Sequence, residues 1–250
     1  MQGDGFLHRY LLNNGGKVLD KWVHYLDVYE RHIGPYRGRS PVMLEIGVFG
    51  GGSLAMWKAY LGPGARLVGI DIDPACKAHE AEGIEIFTGS QDDPALIAAV
   101  LEKYPAIDIV LDDGSHRMEH LRASFELLYP RLAPDGLYLL EDLHTCYWPE
   151  YGGGLRAAGS FMEFVKDKLD ELNAAHARGA VAITDFTAAT QAICVYDSIV
   201  AFERRPQGRR QALVTEPMRR GEAGLRQMED TQALRRMAMK ATLRDMGGKG

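Results

Sequence analysis

The 250 residues predict an α/β fold, a mostly parallel sheet with helices on both faces, and three observations carry that expectation. Short apolar runs alternate with longer amphipathic segments, the pattern of strands and the helices that cover them. A glycine cluster follows the first apolar run, where a strand would turn into a helix beside the crevice of an open sheet. Acidic and histidine residues follow later runs, at what would be the carboxyl ends of neighbouring strands.

The strand runs are residues 42–46 (VMLEI), 66–70 (RLVGI), 84–87 (IEIF), 107–111 (IDIVL) and 137–140 (LYLL), bounded by Gly, Pro or Asp. Helices are expected between them at 53–61, 74–81, 94–103 and 116–132. A long helix is expected over 155–178, where Phe161, Phe164, Val165, Leu169 and Leu172 recur at helical spacing. Runs 191–196 and 199–203, parted by Asp197-Ser198, predict an antiparallel hairpin that closes the sheet. Ahead of the sheet, residues 6–34 read as helical, with Val18, Trp22, Tyr25 and Tyr29 on one face. From Gly221 onward, Leu225, Met228, Leu234, Met237 and Ala241 alternate with Arg226, Arg235, Arg236 and Lys240, which predicts an amphipathic helical tail. The expected division is a helical cap at 1–40, a main domain at 41–205 and a basic extension at 206–250.

Composition narrows the class. Hydrophobic residues at 46% and charged residues at 25% are ordinary for a globular protein and argue against disorder or a coiled coil. The net charge of −5 hides an asymmetry: residues 206–250 carry ten Lys/Arg against five Asp/Glu, so the rest is strongly acidic. An acidic body argues against a nucleic-acid-binding domain. The extension reads instead as a helix for oligomerisation or for a partner, because its Leu and Met stripe needs an apolar surface to cover it. Cys76, Cys146 and Cys194 lack the spacing of a disulfide framework or a CxxC site. Without a leader-like N-terminus or an 18-residue apolar run, the expectation is a soluble, cytoplasmic protein that does not engage a membrane.

The run Leu44-Glu45-Ile46-Gly47-Val48-Phe49-Gly50-Gly51-Gly52-Ser53 places its glycines at the first strand tip. A dinucleotide fingerprint needs glycine at the first, third and sixth positions. Gly47 and Gly52 satisfy that pattern, but Phe49 does not. The spacing Glu45-x-Gly47-x-x-x-Gly51 resembles motif I of class I S-adenosylmethionine (SAM) methyltransferases, whose turn receives a cofactor without phosphates. Glycines that merely let the chain turn are the plain alternative. Asp71, at the tip of the second run, can accept hydrogen bonds from the hydroxyls of a ribose, a feature shared by NAD and SAM folds. Asp73 before Pro74 reads as a helix N-cap. After the third run, Ser90, Gln91 and Asp92 can meet an adenine edge, and ordinary loop chemistry accounts for them equally well.

Asp112-Asp-Gly-Ser-His116 follows the fourth run and Glu141-Asp-Leu-His144 the fifth. Adjacent strands would bring up to four carboxylates and two imidazoles together beside the crevice. So many like charges are costly unless a cation sits among them, and the donor chemistry suits Mg²⁺. Asp113 and Ser115 read as caps or solvated loop groups, and His116 as the start of a helix with a possible part in the site.

With those two signatures, residues 42–144 resemble the metal-dependent sugar O-methyltransferases that tailor macrolides and other glycosylated natural products, with cephalosporin hydroxylase-like relatives. The segments Asp20-Lys-Trp-Val-His-Tyr25, Tyr29-Glu30 and Tyr196-Asp-Ser-Ile-Val200 extend the resemblance over about residues 18–205. It implies a Rossmann-like, seven-stranded class I methyltransferase sheet. It implies SAM and Mg²⁺ as cofactors, Asp112, Glu141 and Asp142 as metal ligands, and His144 as general base, with His116 a second catalytic candidate. Glu45, Gly47, Gly51, Ser53, Asp71, Ser90, Gln91, Asp92 and Asp112 are the expected cofactor contacts. The macrolide enzymes carry an additional N-terminal domain not expected in these residues, which leaves acceptor and assembly open. A small-molecule glycoside acceptor and a homo-oligomer are the expected partners, and the aromatic, glycine-rich stretch 146–154 suits a lid over a sugar. Three rivals stay in view: a catechol-type phenol as acceptor, an NAD-dependent sugar enzyme, and a scaffold without turnover.

Overall fold

The computed structural model describes residues 5–208, 210–214 and 226–228. The chain divides into two compact units, residues 1–207 and 208–250. In the first unit, α1 (Phe6–Leu12) and α2 (Tyr25–His32) precede β1 (Val42–Ile46), α3 (Gly52–Leu61), β2 (Arg66–Asp71), β3 (Ile84–Thr88) and α4 (Pro94–Lys103). There follow β4 (Ile107–Asp112), α5 (Met118–Leu128), β5 (Leu132–Leu140), α6 (Phe161–Leu172), α7 (Asp185–Ala189), β6 (Thr190–Val195) and β7 (Val200–Arg204).

The seven strands are ordered β3-β2-β1-β4-β5-β7-β6, and β7 runs antiparallel to both of its neighbours. The chain therefore reverses its direction of winding between β1 and β4. Loops on either side of that point splay apart and leave a crevice at the carboxyl ends of the strands.

Residues of alternate parity pack on opposite faces, as pleated strands require. Leu44, Ile46, Val68, Val110, Tyr138 and Leu140 pack on one side with Leu121 and Phe125 of α5 and with Phe164 of α6. Met43, Leu67, Ile109, Leu111, Leu137 and Leu139 pack on the other with Tyr25 and Tyr29 of α2 and Trp57 of α3. This parity later decides which carboxylates meet.

Several boundaries differ from the sequence expectation. The cap is two helices, because Asn13 ends α1 and the Asn13-Asn-Gly-Gly16 stretch leaves helical geometry. Residues 17–24 cross the sheet end as a strap instead, with the Val18 carbonyl accepting the Gly52 N–H at 3.0 Å. Val18 and Trp22 are accordingly exposed, whereas Tyr25 and Tyr29 are core. The expected helix at 74–81 is a 3-10 helix over Pro74–His79, and Asp73 caps it by accepting the Ala75 N–H. The helix expected over 116–132 starts at Met118 and ends at Leu128. The long helix expected from 155 begins only at Phe161, where Ser160 caps its first turn. The hairpin forms as expected, its tight turn placing Ser198 at φ 64°.

In the second unit, β8 (Ala212–Val214) pairs antiparallel with β9 (Arg226–Met228). The helix expected from Gly221 is therefore corrected over those three residues: backbone pairing with β8 prevails there over the apolar stripe. The rest of that expectation lies outside the described residues. No helix among the described residues is long and apolar enough to cross a membrane.

Candidate active site

A cavity of about 600 Å³ opens at the strand ends. Its lining includes the strap, the turn after β1, Asp71, and the loops after β4 and β5. A second, of about 260 Å³, shares Gly47, Asp71 and Gly114 with it and continues past Gly89, Ser90, Gln91, Ser115 and His120.

Backbone bonds join the strand tips. The Gly47 N–H donates to Ile70, the Asp113 N–H to Ile46 and the Glu141 N–H to Asp112, at 2.8, 2.9 and 3.0 Å. Gly47 has φ 91°, and a Cβ there would lie under 3.0 Å from the Asp113 carbonyl. Gly47→Ala is thus expected to cost at least about 1–3 kcal/mol and to push Asp113 aside. An unchanged unfolding midpoint would contradict this approach of the two loops.

Asp71 holds the glycine turn. Its Oδ2 accepts the N–H groups of Val48 and Phe49 at 2.8 and 3.0 Å, and its Oδ1 accepts that of Asp73 at 2.9 Å. Burial by itself pushes the Asp71 carboxyl up, and the three backbone donors with the Cys76 thiol outweigh it, so the group sits below its ordinary value. An ionised carboxylate has about four acceptor positions. With three taken by backbone donors and the Cys76 thiol also beside it, Asp71 has room for at most about one ribose hydroxyl, fewer than the sequence suggests.

The other expected cofactor contacts divide. Ser53 lines the larger cavity, whereas Gly51, at φ 70°, lines neither and is the N-cap of α3. Glu45 does not line it: fully buried, it accepts hydrogen bonds from Ser53 Oγ at 2.9 Å and Trp57 Nε1 at 3.3 Å, supporting the turn from behind. Burial pushes its carboxyl up to about 7, against the pull of Lys21. Gln91 lines the smaller cavity, but its amide is engaged: Nε2 donates to Asp112 at 3.0 Å and Oε1 accepts the Ser115 N–H at 2.8 Å. Ser90 donates to Asp92, which also faces His120 Nε2 at 3.6 Å.

The carboxylates do not meet as expected. Asp112 is fully buried on the α5 face, where its carboxylate accepts from Ser124 Oγ at 2.6 Å, Tyr138 hydroxyl at 3.0 Å and Gln91. It lines neither cavity, although the sequence expectation made it a metal ligand and a cofactor contact. The cause is register. Asp112 pairs with Leu140, so Glu141 lies opposite Asp113, and side chains at the same level of adjacent strands point to the same face.

Asp113, and not Asp112, lines the larger cavity. Asp113, His116 and Asp142 each offer a ligand atom within 4.8 Å of the others. His116 Nε2 lies 3.9 Å from Asp113 and 3.8 Å from Asp142. Both Asp142 and His116 adopt positive φ, at 54° and 57°. Glu141 is buried beside them, and burial together with the charge of Asp113 pushes its carboxyl up to about 8.

Three contributors escape sequence reading. Lys21 on the strap contacts Asp113 and donates to Glu141 Oε2 at 3.0 Å. Burial by itself would lower its pKa, but Asp113, Glu141 and Glu45 hold the ammonium well above its ordinary value. The Tyr25 hydroxyl donates to Asp142 Oδ1 at 2.7 Å, so a core residue also steers a site carboxylate. Ser198, at the hairpin turn, bonds His144 Nδ1 at 2.7 Å. Neither the register that sets Asp113 beside Glu141 nor the position of the strap leaves a signal in the sequence.

His144 stands at the rim. It is not part of the cavity lining, and its ring contacts Trp148 and Trp22 at centroid distances of 4.8 and 6.3 Å. His116 does line the cavity.

The donor set fits a hard divalent cation. Three carboxylates, from Glu45, Asp113 and Glu141, act on one ammonium, and among the described residues His116 Nδ1 is buried without a hydrogen-bond partner. Oxygen donors in excess of the local positive charge are what Mg²⁺ binds best.

Residues 44–143 match the family described as a methyltransferase domain. Demethylmacrocin O-methyltransferase of Streptomyces fradiae is 43% identical over 58% of this chain and 37% of its own length. The 8-demethyl-8-alpha-L-rhamnosyl tetracenomycin-C 2'-O-methyltransferase of Streptomyces olivaceus is 42% identical, over 60% and 43%. Mycinamicin VI 2''-O-methyltransferase of Micromonospora griseorubida is 37% identical, over 58% and 38%. The solved MycE methyltransferase in complex with Mg, SAH and mycinamycin VI superposes with a TM-score of 0.69 at 30% identity, covering 80% of this chain and 52% of that one. The chain thus spans less than half the length of these curated relatives. Residues 44–143 match a methyltransferase domain, and the chain has the class I methyltransferase fold and is similar to O-methyltransferases.

Proposed function

We propose that this protein is a SAM- and Mg²⁺-dependent O-methyltransferase that acts on a sugar hydroxyl of a glycosylated small molecule. The observation that carries the reading is the meeting of Asp113, His116, Glu141 and Asp142 in one cavity with Asp71 and the glycine turn. The rhamnosyl group in the name of the tetracenomycin relative supports a sugar acceptor. The proposed division keeps the cap at 1–40, the methyltransferase domain at 41–205 and the basic extension at 206–250, the last a candidate for homo-oligomer contacts. The proposed location is the cytoplasm.

SAM supplies an electrophilic methyl group on sulfur. The turn from Gly47 to Ser53 and Asp71 bind its amino-acid and ribose parts, and the smaller cavity between Gly89 and His120 takes the adenine. Asp113, Glu141 and Asp142 are the residues that would hold Mg²⁺, which lowers the pKa of a hydroxyl bound to it. His116 removes the acceptor proton, a step worth about 10²–10⁴ in rate for a positioned base. This gives His116 the role first expected of His144, because His116 lines the cavity. His144, Trp22 and Trp148 form an aromatic rim suited to a sugar ring.

Calorimetry with S-adenosylhomocysteine, with NADH as control, tests the cofactor, and methyl transfer to glycosides before and after EDTA tests the metal. Binding of the first ligand alone, with activity lost on chelation and restored by Mg²⁺, is expected. Binding of NADH alone would replace the reading with a dinucleotide enzyme, and chelation-indifferent transfer would remove the metal.

A further inference from the structure

We propose that Lys21 is the built-in counter-ion of the acidic site, and that its ammonium and a divalent cation compete for the same carboxylates. The inference rests on the metal reading above and adds a residue that binds in the metal's place.

The geometry is specific. Lys21 Nζ contacts Asp113 Oδ2 and Glu141 Oε2, oxygens of two of the three proposed ligands, and the lysine side chain is only 2% exposed. Among the described residues, no other Lys or Arg lines the larger cavity. A buried ammonium is retained only where carboxylates compensate for its lost hydration. Here it has that compensation, and the carboxylates need it in turn: without a positive charge, Asp113, Glu141 and Asp142 would face one another across a few ångströms.

An ammonium and a divalent cation cannot share these oxygens on equal terms. Both draw on the same lone pairs, and like charges at such separation repel strongly away from bulk water. Metal binding must therefore loosen or expel the Lys21 head group. Lys21 belongs to the strap, which lacks helix or strand and is held through Val18 to Gly52 and through the Lys17 ammonium to the His79 carbonyl. Val18, Leu19 and Trp22 of that strap line the same cavity. Metal occupancy is thereby coupled to the placement of the strap at the cavity mouth, and the lysine keeps the acidic cluster stable until the cation arrives.

The test is Mn²⁺ binding without cofactor or acceptor, followed by calorimetry and by the electron paramagnetic resonance signal of free Mn²⁺, for wild type, Lys21→Met and Lys21→Arg. Lys21→Met is expected to bind Mn²⁺ at least about tenfold more tightly than wild type, since removing one neighbouring positive charge favours the ion. Lys21→Arg, which keeps the charge, is expected to stay near wild type. In wild type, saturating Mn²⁺ should speed tryptic cleavage after Lys21, an arm that does not depend on any variant folding. Equal or weaker binding by Lys21→Met, or an unchanged cleavage rate, overturns the competition and leaves the metal reading intact. Absence of binding by every form defeats the metal reading and the inference with it.

Discussion

Asp113→Asn should lower Mg²⁺ affinity by more than about 100-fold, beyond the 10–100-fold that loss of a supporting outer partner causes, while Asp112→Asn should leave it within about tenfold. The sequence expectation is the reverse, so the pair discriminates sharply. Asp113 faces His116, Asp142 and Lys21 at the cavity. Asp112 faces Ser124, Tyr138 and Gln91 on the opposite side of the sheet. An amide in place of Asp112 would turn an N–H toward groups that now donate to it, leaving a buried donor unsatisfied at a cost of about 1–3 kcal/mol. That cost appears as a lower unfolding midpoint, about 2–4 °C per kcal/mol for a domain of this size. Titrating both variants with Mg²⁺ and melting both gives the answer: a metal defect in Asp112→Asn with none in Asp113→Asn would sink the assignment.

His116→Asn should lower kcat by about 10²–10⁴ while S-adenosylhomocysteine binds as in wild type. Asparagine is chosen because residue 116 has φ 57°, a conformation that Asn tolerates better than most residues. His144→Ala should act mainly on KM for the acceptor, within about tenfold, since His144 sits with Trp148 and Trp22 at the rim. The split between kcat and KM separates base from support: kcat is expected to fall for His116→Asn and to hold for His144→Ala. If instead only His144→Ala abolishes turnover, the proton passes to the rim histidine and His116 is left as a neighbour of the metal.

Much of this protein is legible without coordinates. The five parallel strands and the closing hairpin follow from runs of apolar residues punctuated by Gly, Pro and Asp, because a strand covered by helices on both faces must be apolar nearly throughout. Glycine at 47 is equally readable, since a strand tip that turns sharply beside another loop leaves no space for a Cβ. Less legible were the helix ends, where Ser160 and the Asn13–Gly16 stretch override apolar periodicity.

The sequence by itself determined the sheet, the location of the crevice and the presence of an acidic, histidine-bearing pair of loops around it. Those features depend on local pattern and chain order. Only the tertiary structure decided which carboxylates point together, because that depends on the register between β4 and β5, and one residue of register exchanges the two faces of a strand. It also brought Lys21 from 92 positions away to Asp113 and from 120 to Glu141. A contact of that span is set by how the strap crosses the sheet end, and a buried ammonium is held there by the carboxylates that the same crossing brings to it.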